Sequence, residues 1–223
     1  MIGFILAAIG TAAILFIGEI LWQDKLIKGE NARKFIHIGV ATYAAFWPFF
    51  VCRWWIAGLS ALFVLVLLAC KKIKIFNSIK GAKRATYGEV CYALSIGILA
   101  LIFQDNYIYM IAMLHMALAD GFAAVVGVHL AKEAKNFYFH GSKKSWAGTA
   151  TFVAISFILN LGYWMLAYGV SPSGSIIGFS PLIYSLLSAI ILAGVEIAAP
   201  KGTDNIYVPF AAGLLLWLPP IIV

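Results

Sequence analysis

Residues 118–127 read Leu-Ala-Asp-Gly-Phe-Ala-Ala-Val-Val-Gly and lie inside an apolar stretch, residues 107–130, that is long enough to cross a lipid bilayer. Its one acidic residue is Asp120, which would lie roughly 15 Å from the C-terminal end of the stretch at 1.5 Å per residue of helix. An ionised carboxylate at that depth costs at least ~2.5–3.5 kcal/mol, so it is expected to have a partner, a water-filled cavity or a functional role. The stretch therefore predicts a membrane helix that carries a functional acid.

The composition places the rest of the chain in the membrane as well. Of its 223 residues, 63% are hydrophobic and 11% are charged, against ~25% charged residues in soluble domains. At ~20 residues per span there is room for about eight spans and no separate soluble domain. The formal net charge of +7 does not indicate nucleic-acid binding, because no soluble basic domain is left to carry it.

Apolar runs of spanning length occur eight times, counted directly along the sequence. They occupy residues 2–22, 35–52, 54–70, 87–104, 107–130, 147–169, 178–199 and 206–223. Pro209 should kink the last run or confine it to a short span. The sequence therefore predicts an all-α, polytopic integral membrane helix bundle with about eight transmembrane helices.

The basic residues predict the orientation of this bundle. Fifteen of the sixteen Lys and Arg residues lie in alternate loops, at residues 23–34, 71–86, 131–146 and 200–205. The positive-inside rule places these loops in the cytoplasm, so that both termini face outward. We predict a single transmembrane domain over residues 1–223 in the cytoplasmic membrane of a prokaryote, with a cytosol-facing active site built from the four loops.

Cations gather at the starts of two predicted helices. Arg33 and His37, four residues apart, share one face of the second helix, and Lys34 lies alongside them. Lys83 and Arg84 stand just ahead of the fourth helix. Both patterns suit an anionic ligand at a helix N-terminus. Lys83 and Arg84 could equally orient the chain or touch anionic lipid head groups.

A second basic element, Gly141-Ser-Lys-Lys-Ser145, precedes the sixth helix. It lacks a glycine of the Walker A pattern and follows no predicted strand, so it is not a P-loop. A flexible loop with adjacent ammonium groups and hydroxyls ahead of a helix still favours phosphate binding.

Small residues recur along the fifth helix and leave two interpretations open. Ala123 and Gly127 belong to a row that permits close helix contact, which is a packing role. Alternatively, Gly121 and Gly127 break the helix and turn its amides towards a cavity.

Six blocks of sequence, taken in order, resemble the polyprenol kinase family, which holds dolichol kinases, phytol kinases and CTP-dependent diacylglycerol kinases. The blocks are Arg33-Lys-Phe-Ile-His-Ile-Gly39, Tyr87-Gly-Glu89, Ala119-Asp-Gly-Phe-Ala-Ala-Val-Val-Gly127, Lys143-Lys-Ser-Trp-Ala-Gly-Thr149, Glu196, and Gly202-Thr-Asp-Asn205 with Val208-Pro209. The resemblance is closest to the phytol kinase branch and covers nearly the whole chain.

The resemblance implies a magnesium-dependent transfer of the γ-phosphoryl group of CTP, or of UTP, to the hydroxyl of a lipid alcohol. The expected alcohol is an isoprenoid such as phytol, geranylgeraniol or a polyprenol. The partners would then be the nucleotide, the alcohol and membrane lipids, with Mg²⁺ as cofactor and the oligomeric state left unassigned.

Roles follow as hypotheses for the residues already named. The expected catalytic residues are Asp120, Glu89 and Lys144, with either carboxylate as the base for the alcohol. The expected nucleotide-binding residues are Arg33, Lys34, His37, Lys83, Arg84, Gly127, Lys143, Lys144, Ser145 and Gly148. The expected Mg²⁺ ligands are Asp120, Asp204, Asn205 and Glu196, since Mg²⁺ prefers oxygen ligands.

Three other functions remain open from the sequence, and the first is a kinase that acts on a lipid monophosphate instead of an alcohol. A CTP:phosphatidate-type cytidylyltransferase would also use CTP, a metal ion and a lipid acceptor, but its lipid phosphate would attack a different phosphorus of CTP, releasing pyrophosphate and forming a CDP-lipid. A transporter would use Asp120 as a proton or cation site. The clustering of ionisable residues at one end of the predicted helices, instead of along a path across the bilayer, favours the kinase.

Overall fold

A computed structural model describes residues 2–27, 29–73, 88–130, 135–139, 142–170, 174–200 and 202–219. The described residues form eight helices and one β-hairpin. The helices are α1 (Ile2–Gln23), α2 (Glu30–Ala45), α3 (Arg53–Ile73), α4 (Gly88–Ile102), α5 (Asn106–His129), α6 (Trp146–Ala167), α7 (Pro181–Ala198) and α8 (Asp204–Trp217). The hairpin pairs β1 (Asn136–Phe139) with β2 (Ser142–Ser145) in antiparallel fashion.

Four of these helices, α1, α5, α6 and α7, are long and apolar enough to cross a membrane. Shorter apolar helices are formed by most of α3, at Arg53–Ala69, and by the whole of α4. The architecture confirms the prediction of an essentially all-α chain, with several helices long and apolar enough to span a membrane. The total of eight spans and the outward termini stay predictions.

The second predicted span, residues 35–52, is wrong in its boundaries. Helix α2 begins at Glu30 and ends at Ala45, and a 3₁₀ turn at Trp47–Phe49 follows it. Pro48 explains the early end, because proline disfavours helical backbone in the residue before it and lacks an N–H for the helix ladder. The earlier start brings Arg33 and Lys34 of the predicted first loop onto the helix itself.

Polar side chains set the starts of three helices. Asp105 accepts hydrogen bonds from the backbone N–H groups of Tyr107 and Ile108, at 2.7 and 2.9 Å, and begins α5. Ser145 begins α6 by accepting from the N–H of Gly148 at 3.0 Å. Ser180 begins α7, with Pro181 at its first position. Each side chain satisfies an N–H that the helix itself cannot pair.

Helix α5 is the centre of the bundle and packs against α2, α6 and α8. It changes from α-helical to π-helical geometry at His115–Asp120 and returns to α-helix at Gly121. Gly121 and Gly127 therefore do not break the helix, and the interpretation that they do is wrong. The irregular turn lies just before them, and π-helical turns occur often at functional sites.

The two glycines instead allow close packing. A Cβ on Gly121 would come within 2.4 Å of Ile38 Cγ1, and one on Gly127 within 2.9 Å of Ser145 Oγ. Helix α2 and strand β2 can therefore approach α5 closely. Both neighbours carry lysines that the sequence analysis places in the site.

The predicted loop at residues 131–146 contains the hairpin, which the sequence analysis did not predict. Its register pairs Phe137 with Lys144 and Tyr138 with Lys143. Three aromatic residues occupy one strand and two lysines the other. Backbone pairing thus fixes the position of Lys144, which a loop would leave free.

Candidate active site

The buried acid of α5 is bound by two residues of α2. Lys34 Nζ lies 2.7 Å from Asp120 Oδ2, and His37 Nε2 lies 3.5 Å from the same oxygen. The side chains of Lys34 and Asp120 are 7% and 10% exposed. A charge buried to this extent needs a partner of opposite sign, and Lys34 supplies it.

His37 also fixes how α2 lies against the π-helical turn. Its Nε2 lies 2.9 Å from the carbonyl oxygen of Met116, within that turn, and its own carbonyl accepts a hydrogen bond from Tyr92 Oη at 3.0 Å. A carbonyl oxygen only accepts hydrogen bonds, so Nε2 carries the ring proton. His37 thus connects α2 to α4 and α5, and it does so while contacting Asp120.

Three carboxylates converge at this point. Asp120 of α5, Glu196 of α7 and Asp204 of α8 each offer an oxygen, and these oxygens all lie within 4.8 Å of one another. Oxygen-rich sites of this kind suit Mg²⁺, which takes carboxylates together with waters and substrate phosphates. The structure brings together three of the four predicted metal ligands.

The fourth predicted ligand, Asn205, directly follows Asp204 in the sequence and is 7% exposed. Its side-chain Nδ2 donates to the carbonyl of Gly88 at 3.0 Å. Its Oδ1 is buried and has no hydrogen-bond partner among the described residues. An amide oxygen held in this way is a suitable further ligand for a hard cation.

Lys144 reaches the cluster from the hairpin. Its Nζ donates to Glu196 Oε1 and, at 3.1 Å, to the backbone oxygen of Glu196. The side chains of Lys144 and Glu196 are 16% and 9% exposed. Two ammonium groups, Lys34 from α2 and Lys144 from β2, therefore face the three carboxylates.

Asp204 is the member of the cluster outside the long apolar helices, at the first residue of α8. Burial, followed by repulsion from the Asp120 carboxylate, raises its pKa to about 6. Burial and the like charge of a neighbouring carboxylate both disfavour the ionised form of an acid.

The other predicted residues of the Lys-Lys-Ser block have structural partners. Ser145 caps α6, and a Cβ on Gly148 would come within 2.7 Å of the backbone oxygen of Ala123. Gly127 packs on Ser145. These contacts explain why small residues stand there, while nucleotide binding by Gly127, Ser145 and Gly148 stays a prediction.

Two of the remaining predicted residues, Arg33 and Glu89, lie in the first turns of their helices. Arg33 precedes Lys34 on α2, and Glu89 lies in the first turn of α4, next to the Gly88 carbonyl that Asn205 contacts. The side chain of Lys143 lies outside the described part of the structure, as do Lys83 and Arg84 entirely.

Sequence reasoning missed the part played by Tyr92 and the contact of His37 with Met116. Neither has a local signal, because both depend on the packing of helices that are distant in the chain. The aromatic and basic runs flanking residue 140 were a signal for the hairpin, since aromatic residues favour strands.

Similarity to a known protein covers nearly the whole chain. The chain is 29% identical over 216 residues to a phytol kinase from Synechocystis sp., a match that covers 95% of this chain and 89% of the relative. The chain is a homologue of this phytol kinase. Homology over this length implies that the protein is a kinase, as the order of its motifs predicts.

No family model matches this kinase, and no solved structure is similar to it. The arrangement of its site therefore rests on its own geometry. Four of the family-like blocks meet there, since Lys34, Asp120, Lys144 and Glu196 come from different blocks and contact one another in pairs.

Proposed function

We propose that this kinase transfers the γ-phosphoryl group of CTP, or of UTP, to the hydroxyl of an isoprenoid alcohol. The observation that carries the proposal is the meeting of three carboxylates and two lysines at one buried point. Homology to a phytol kinase supports an isoprenoid acceptor such as phytol, geranylgeraniol or a polyprenol.

The donor set fits magnesium. Asp120, Glu196 and Asp204, with the amide oxygen of Asn205, would hold Mg²⁺. When bound, the ion neutralises charge on the phosphate oxygens. These four oxygen donors, together with water and phosphate oxygens, support Mg²⁺ as the cofactor.

The protein's own residues supply positioning and charge. Lys34 and Lys144 are the ammonium groups that would bind phosphate oxygens, with Arg33 close by in sequence. A carboxylate, Glu89 or Asp120, would accept the hydroxyl proton while the alcohol oxygen bonds to the γ-phosphorus. The bond from that phosphorus to the β,γ-bridging oxygen breaks, and the nucleoside diphosphate leaves.

The position of the site near helix ends explains why a kinase should be built from apolar helices. A lipid tail can stay in the bilayer while its hydroxyl reaches the acidic cluster. Basic loops at the same end support entry of the nucleotide from the cytosol. Both termini would then face outward.

The test is product analysis on the purified protein with Mg²⁺ and labelled nucleotides. CTP, UTP and ATP, each labelled at the γ-phosphate, are incubated with phytol, geranylgeraniol, a long polyprenol or diacylglycerol. A labelled lipid monophosphate with release of CDP is expected. Parallel incubations supply a lipid monophosphate in place of the alcohol. There, pyrophosphate and a CDP-lipid would instead identify a cytidylyltransferase, and a labelled lipid diphosphate with no product from any alcohol would identify a kinase that acts on the monophosphate.

A further inference from the structure

The two lysines of the site are bound to the same carboxylates that would hold a metal ion. Lys34 Nζ lies 2.7 Å from Asp120 Oδ2, and Lys144 Nζ donates to Glu196. Both carboxylates belong to the cluster whose oxygens lie within 4.8 Å of one another. A cation that takes these oxygens must therefore compete with two ammonium groups that already bind them.

In the absence of nucleotide, replacing the two lysines by a divalent cation at these carboxylates would be unfavourable. Three carboxylates and two ammonium groups leave one negative charge, which a dication more than neutralises. The displaced ammonium groups would stay buried close to the dication. Repulsion between like charges is strong where water is largely excluded, so this arrangement is unfavourable.

A triphosphate changes that balance because it offers new partners to the ammonium groups. Each lysine carries its charge on a flexible four-carbon stem and can move from a carboxylate to a phosphate oxygen. The carboxylates are then free for the metal ion, while the phosphates are neutralised by metal and lysines together. No buried charge is left without a partner.

We propose that Lys34 and Lys144 are exchangeable counter-ions that make the binding of metal and nucleotide cooperative. In the exchange, each ammonium group leaves a carboxylate for a phosphate oxygen as the metal ion takes the carboxylate. By linkage, the nucleotide tightens metal binding and the metal tightens nucleotide binding by the same factor. The nucleotide part of this inference rests on the proposed function, whereas the competition between lysine and metal does not.

The experiment measures binding of Mn²⁺, as a stand-in for Mg²⁺, to the full chain in detergent by isothermal titration calorimetry. Each protein is titrated with Mn²⁺ alone and with Mn²⁺ in the presence of β,γ-methylene CTP, which does not transfer its phosphoryl group. The variants are Lys34→Met and Lys144→Met. The matched control is Lys135→Met, at an exposed lysine next to the same hairpin.

In the unaltered protein and in Lys135→Met, the nucleotide should tighten Mn²⁺ binding at least about tenfold. In Lys34→Met, Mn²⁺ alone should bind at least about tenfold more tightly than in the unaltered protein, because its competitor is gone, and the gain from nucleotide should shrink to about threefold or less. Lys144→Met should change in the same direction.

Binding of Mn²⁺ alone that is no tighter in Lys34→Met than in the unaltered protein would overturn the inference. Should Lys34→Met fail to fold, Lys144→Met provides the same comparison, since its side chain is less buried. Should no nucleotide bind at all, the proposed function fails, and the Mn²⁺-only comparison still decides whether the lysines compete with the metal.

Discussion

Lys34 and Asp120 are 86 residues apart in the chain, and the lysine Nζ lies 2.7 Å from the aspartate Oδ2. The pair joins the start of α2 to the π-helical turn of α5. His37, one turn further along α2, contacts the same oxygen at 3.5 Å. The family-like block at residues 33–39 thus acts on the block at residues 119–127 through direct contact.

Asp120→Asn should lower phosphoryl transfer at least about 100-fold while leaving insertion and helix content intact. An asparagine keeps the size of the side chain but removes the charge that would hold a metal ion. Loss of outer-sphere partners alone typically costs 10–100-fold, so loss of a ligand should cost at least the upper value. Initial rates with γ-labelled CTP and far-UV circular dichroism give the two readouts.

The control for this variant is Asp105→Asn, at an acid that caps α5 at its other end. Asparagine caps a helix about as well as aspartate, so both activity and stability should be retained. Unchanged activity in Asp120→Asn would contradict the proposed role of Asp120 in catalysis and in metal binding.

His37→Leu should lower the rate of transfer about tenfold while the helix bundle still forms. The substitution removes the hydrogen bond to the Met116 carbonyl and the contact with Asp120, which together hold α2 against the π-helical turn. Partners of metal ligands typically contribute 10–100-fold. Steady-state kinetics at varied Mg²⁺ would show the loss.

His129→Gln is the matched control, because His129 lies at the exposed end of the same helix that His37 contacts. It should leave the rate within about twofold of the unaltered protein, since exposed substitutions away from such contacts change little. Equal losses in the two variants would indicate a general effect of removing histidine and not a specific one at Asp120.

Composition and charge predicted much of this fold from the sequence. Apolar runs located each helix, and the alternation of basic loops placed Lys34, Lys144 and Asp204 at one end of the bundle, where the structure brings them together. In a bundle of antiparallel helices every second loop lies at the same end. Once the helices were located, the grouping of these residues at one end therefore followed from geometry and the positive-inside rule.

Interactions between distant residues could not be predicted in this way. Arg53 is the one Lys or Arg residue outside the four basic loops, and its guanidinium donates to the carbonyls of Ala100, Phe103 and Gln104 at the end of α4. It therefore pairs carbonyls that the helix cannot satisfy itself. The π-helical turn was also beyond prediction, because residues 115–120 carry no glycine or proline to mark it.

Gly148→Ala should destabilise the protein by roughly 1–3 kcal/mol. The added Cβ would lie 2.7 Å from the backbone oxygen of Ala123, and backbone cannot move aside as a flexible side chain does. Gly162→Ala, on the same helix with nothing within 4 Å of the added Cβ, should instead stabilise it by roughly 0.5–1 kcal/mol. Thermal unfolding in detergent would compare the two variants.

This pair separates packing from ligand binding at Gly148. If the glycine serves packing, the loss of stability is present without nucleotide and is the same size with it. A loss that appears only in the presence of nucleotide would assign Gly148 to the binding site instead, in agreement with the resemblance to the family.

Asn160→Leu should leave thermal stability unchanged or raise it by about 1 kcal/mol. Asn160 of α6 is fully buried, and neither its Oδ1 nor its Nδ2 has a hydrogen-bond partner among the described residues. An unpaired buried polar group costs ~1–3 kcal/mol, which a leucine of similar size would remove. Arg53→Met, which removes several hydrogen bonds, should lower the unfolding temperature in the same assay. Marked destabilisation by Asn160→Leu would show that the asparagine has a partner in the protein as it exists in a membrane.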